Sequence, residues 1–125
     1  MLIETVKNLL DKQFSDGKYQ LRATLYTDNE LPQRQIVVYY RDEVEPIALG
    51  RHTPIGLYNQ KIQVAVYHPV HDKCRGVAYN ILEWLNTQHV TGLTLTVATA
   101  PTYKGVNPVK AQHVYTIDYN MKGDK

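Results

Sequence analysis

KIQVAVYHPVHDKCRGVAYNILEWLN, residues 61–86, changes its hydrophobic period halfway along. From Lys61 to Tyr67 the apolar residues Ile62, Val64 and Val66 alternate with Lys61, Gln63 and Ala65, a strand with one face on a core. From Cys74 onward the spacing becomes helical. Cys74, Val77, Ala78, Ile81, Leu82 and Leu85 share one face, Lys73, Arg75, Asn80, Glu83 and Asn86 take the other, and Trp84 borders the stripe. Pro69 ends the strand, and Asp72 stands where an N-cap belongs, its carboxylate facing the free amides of the first turn. Fully burying Val77, Ile81, Leu82 and Leu85 contributes at most about 6 to 12 kcal/mol gross. A strand that runs directly into a helix is the centre of the fold.

On the N-terminal side, Leu2, Ile3, Val6, Leu9, Leu10 and Phe14 recur at spacings of three and four, an amphipathic helix ended by Gly17. Leu21, Ala23 and Leu25 alternate with Gln20, Arg22 and Thr24 in a strand from Tyr19 to Thr27, and Asp28 to Pro32 reads as a turn. Arg34 to Tyr40 is a dense β-branched and aromatic strand. The segment 43–59 holds two prolines and two glycines with no period, so a long loop or protruding hairpin is expected there.

On the C-terminal side, Leu93 to Thr99 alternates apolar residues with threonine, a half-buried strand. Ala100 to Pro108 reads as a connection, Ala111 to Asn120 as a last strand, and 121–125 as a flexible tail. The pattern predicts a single α+β domain over 1–125 with a mainly antiparallel sheet of four to five strands. Two helices pack on one of its faces, in the order α-β-β-(long loop)-β-α-β-β.

The length of 125 residues suits one core, and 43% hydrophobic with 21% charged residues is a globular composition. No apolar run reaches the roughly 18 residues of a membrane span, no signal peptide pattern opens the chain, and a single cysteine allows no internal disulfide, so a cytoplasmic site of synthesis is expected. A net charge of +2 from 14 basic and 12 acidic residues excludes avid, sequence-independent polyanion binding. Ten tyrosines against one phenylalanine and one tryptophan suit exposed sheets or subunit interfaces.

His68, His71 and Cys74 lie three apart at the strand–helix junction. Structural zinc sites use four ligands and generally a second pair from another turn, and His52, His89 and His113 are scattered, so the expectation is a structural junction and no metal. On the helix's core face, Cys74 reads as a small hydrophobe; a nucleophile would need exposure and a lowered pKa. No phosphate-binding glycine loop, paired-acid constellation or serine triad signature is present, and neither catalytic residues nor a cofactor is expected.

The chain resembles the tail terminator and minor capsid (head-to-tail joining) proteins of long-tailed bacteriophages. The resemblance rests on the N-terminal helix, the strand IVVYYRDEV, the long loop, the strand-into-helix segment 61–86 and the closing APTYKGVNPVKAQHVYTIDYNMK. It covers nearly the whole chain in element order and texture, without an invariant chemical motif. It implies a non-enzymatic virion protein that assembles as a ring, usually a hexamer, at the head-proximal end of the tail. Such a ring stops polymerisation of the tail tube protein and joins the tail to a head connector or stopper protein, while double-stranded DNA passes through without specific binding. Under that reading, Glu45, Arg51, His52 and Tyr58 of the long loop are the partner-binding candidates. Tyr39, Tyr103, Tyr115 and Tyr119 are candidates for the subunit interface, and Lys104 and Lys110 for the DNA channel.

Other classes remain open: another component of the phage head-tail connector, a small nucleic-acid-binding module that stacks bases on Tyr39, Tyr115 and Tyr119, and a thiol or metal enzyme centred on Cys74.

Overall fold

Seven elements follow one another in the computed structural model, which describes residues 2–15, 21–25, 35–44, 58–88, 93–108 and 111–123. They are helix α1 (Leu2–Phe14), strands β1 (Arg22–Leu25), β2 (Gln35–Val44) and β3 (Tyr58–His68), helix α2 (His71–Leu85), and strands β4 (Leu93–Asn107) and β5 (Gln112–Gly123). The described strands form one sheet in the order β1-β2-β3-β5-β4. Three neighbouring pairs are antiparallel, and β1 runs parallel to β2, so the α+β domain has a mixed sheet.

Register decides which residues face the core. Val66 lies opposite Ile36 and Tyr115, Val64 opposite Val38 and Ile117, and Ile62 opposite Tyr119, so these positions share one face. That face joins Ile3, Val6, Leu10 and Phe14 of α1 and Cys74, Val77, Ala78, Ile81 and Leu85 of α2 in a single buried cluster. Phe14 and Trp84 meet edge to face at 5.8 Å. The other sheet face is more polar, with a Gln63 Nε2 to Asp118 Oδ1 hydrogen bond of 2.7 Å. Asp11 ties α1 to the sheet, its Oδ1 accepting from the Ala23 amide at 2.9 Å and from Arg22 Nε at 3.1 Å. Burial works to raise the Asp11 carboxyl, but the Ala23 amide and the Arg22 guanidinium outweigh it and hold it below the ordinary value.

Several boundaries differ from the sequence reading, each for a physical reason. The segment expected as a loop over 43–59 is shorter, because β2 runs on to Val44 and β3 starts at Tyr58, with Val44 paired to Gln60. Residues 45–57 lie outside the described residues. Ala100 to Pro108 is not a connection: β4 continues through it to Asn107. Pro101 is tolerated because β4 is an edge strand, and register shifts on either side, with Gly105 at φ +97°, absorb the irregularity. Nor is 121–125 wholly a tail, since Met121, Lys122 and Gly123 pair with Leu95, Thr94 and Leu93. Asp72 is not the cap of α2. That position is Val70, without a side-chain cap bond, and Asp72 sits in the first turn, where its charge still favours the helix.

Candidate functional site

The junction between β3 and α2 is built by its own side chains. His68 is buried, and its Nδ1 accepts the Val70 amide at 3.0 Å, closing the turn that carries the chain off the sheet. The Val70 carbonyl then accepts the Cys74 amide at 2.9 Å, the first bond of the helix. Cys74 is fully buried, its Sγ donating to the carbonyls of Val66 at 3.3 Å and His113 at 3.4 Å. Burial pushes the thiol up to about 11, against two backbone hydrogen bonds, so it stays protonated at neutral pH. His68 and Cys74 thus hold the junction together, and no group of three possible metal ligands stands together among the described residues.

His71 does something the sequence spacing does not show. Its ring stacks on His113 of β5 at 5.0 Å between centroids and leans on Tyr103 of β4 at 4.7 Å. His71 Nε2 lies 2.8 Å from the Tyr115 hydroxyl, and the Tyr103 hydroxyl lies 2.9 Å from His113 Nδ1. Four rings therefore lock the first turn of α2 onto the last two strands. Loss of water pushes the Tyr115 phenol up, with the Arg75 charge acting the other way.

Around this lock lie Val70, Tyr79, Tyr103 and Val106, the large apolar side chains exposed among the described residues, at 45, 40, 41 and 51%. They fall on two surfaces. Tyr103 and Val106 belong to β4, which pairs with β5 on one side and is the last strand on that side of the sheet. Its first half, Leu93 to Ala98, carries no charge, no proline and no glycine, whereas Pro101, Lys104 and Gly105 interrupt the second. Val70 is the N-cap residue of α2, and Tyr79 lies on the helix's outer side. There a shallow groove of about 410 Å³ is lined by Asp72, Arg75, Gly76, Tyr79 and Asn80.

The residues expected from sequence are placed unevenly. Tyr103 is on the exposed edge strand and Tyr39 is half-buried in β2. Tyr115 and Tyr119, at 6 and 1% exposure, belong to the chain's own core, so neither ring is offered to a neighbouring subunit. Val66↔Tyr115 and Ile62↔Tyr119 pairing puts both on the inward face. Lys104 is exposed on β4, Lys110 lies outside the described residues, and so do Glu45, Arg51 and His52. Tyr58 is the first residue of β3 and not part of a loop. Missed from sequence were His113, Tyr79 and Val106, whose roles depend on the β4–β5 register and on which side of α2 stays open.

Among the described residues no strand pairs with the outer side of β4, and α2 carries a shallow groove, on an α+β domain. Comparison with models of known protein families and with curated proteins finds no match for it.

Proposed function

We propose that this chain is a structural head-to-tail joining protein of the tail-terminator kind. It forms a ring, usually of six copies in the proteins it resembles, which ends the tail tube and joins it to the head connector while DNA passes through. The observation that carries the reading is the edge of β4, open among the described residues, a 15-residue strand whose first half lacks the charges, prolines and glycines that prevent edge-to-edge pairing. A ring needs two different complementary surfaces on each copy. The opposite end of the sheet supplies the second: among the described residues, β1 pairs with β2 only from Gln35 to Val38. Following the pairings across the sheet, β4 runs antiparallel to both β1 and β2. Copies rotated about an axis along the strands therefore meet edge to edge in antiparallel fashion, the more favourable hydrogen-bonding pattern. Exposed Tyr103 and Val106 add apolar area beside that edge.

The nucleic-acid alternative loses support, because two of its three stacking rings, Tyr115 and Tyr119, are inside the core.

The double substitution Thr94→Lys with Thr96→Lys tests the proposal. Both side chains are exposed on β4, so the fold should persist with a stability change within about 0.5 kcal/mol per site. Ring particles seen by electron microscopy for the parent chain should disappear. Intact rings in the double variant would remove β4 as the joining edge.

A further inference from the structure

We propose that the outer side of α2 is a second, two-fold contact between copies of this chain, distinct from the ring edge and going beyond the ring reading. The groove residues Asp72, Arg75, Gly76, Tyr79 and Asn80 are spaced three and four apart and form one exposed stripe of the helix. Gly76 has no described role within the monomer. A Cβ built there meets nothing within 4 Å, and glycine is a poor helix former, so the gap serves no internal packing. An open notch in a helix surface lets another backbone approach closely.

The charges in the stripe say what approaches. Arg75 lies over the Tyr79 ring at 5.3 Å, and among the described residues neither it nor Asp72 has an ion-pair partner. Among the described residues the stripe thus presents one anion and one cation, a single turn apart, without an ion-pair partner. Its complement carries a cation and an anion in the reverse order, and a second α2 turned antiparallel about a two-fold axis has that order. Asp72 of each copy then meets Arg75 of the other, and each Gly76 receives the first turn of the opposite helix. Tyr79, the exposed apolar residue of this stripe, then lies beside the N-terminal end of the opposite helix. Such a contact is isologous and closes at two.

Sedimentation of the full chain over a concentration series tests this, with circular dichroism as the check on folding. Gly76→Ala should melt at a higher temperature than the parent chain, since the helix gains propensity, yet weaken the two-fold association at least about tenfold because the notch is filled. Asp72→Arg and Arg75→Asp should each weaken it to a similar extent by opposing like charges, and the two combined in one chain should restore it. An association unchanged by Gly76→Ala, or folded single variants that the combined swap does not rescue, would overturn the proposal. The Thr94→Lys/Thr96→Lys chain separates the readings: it should lose rings and keep two-fold pairs. Rings without any two-fold association overturn this inference alone, and pairs without rings in the parent chain overturn the ring proposal alone.

Discussion

Cys74 and Tyr119 are both buried polar side chains, and they behave oppositely. The Cys74 thiol has two carbonyl partners, whereas the Tyr119 hydroxyl is buried without one among the described residues. Cys74→Ala should therefore cost about 1 to 2 kcal/mol in chemical denaturation, the loss of a small buried side chain. A raised thiol favours the folded state below its unfolded value of 9.0 and loses that contribution as pH rises to about 11, so the same variant should flatten the alkaline side of the stability profile. Tyr119→Phe removes a hydroxyl that has no partner among the described residues and keeps the ring, and stability should stay level or rise by about 1 kcal/mol. A loss above about 1 kcal/mol would reveal a partner for that hydroxyl. The burial of Tyr115 and Tyr119 was legible in the sequence: with Ile117 and Met121 they occupy alternate positions, the parity of an inward face. Reading them as interface residues followed residue type where period was the stronger signal.

At the scale of elements, period located α1, β2, β3 and α2 to within a few residues, because each buries one face against the core. What it could not give is the parallel pairing of β1, which depends on the path between two strands and not on either strand's pattern. The extent of β4 was hidden for a different reason: proline and glycine signal a break in a central strand but are compatible with an edge. The tie between α1 and β1 gives a test at this scale. Asp11→Asn should cost about 1 to 2 kcal/mol, mostly through the weakened bond to the Ala23 amide, since Arg22 is largely exposed and its ion pair contributes little. Because the Asp11 carboxyl is held below its ordinary 3.8, its contribution is complete above that value and lost as pH falls through the lower, folded-state value. Acid titration of stability should show this loss in the parent chain and not in the variant. An equal acid slope in both would show that the carboxylate is not the tie.

For the whole molecule, the α+β class followed from element order, but the surfaces on which the proposed association rests emerged only with the structure. It leaves β4 outermost and α2 with an open stripe, and neither is a local property of sequence. The two surfaces make different demands. In the proposed assembly, strand pairing along β4 would join copies head to tail and close by rotation, while the α2 stripe would join copies in pairs. The mass of the purified chain in solution, followed by light scattering from dilute protein to its solubility limit and matched to electron micrographs of the same samples, tests the central claim most directly. The account predicts closed rings with a mass several times the 14.4 kDa of one chain, lost in the Thr94→Lys/Thr96→Lys variant. A chain that stays at 14.4 kDa throughout, or that grows into open filaments without closing, would contradict it.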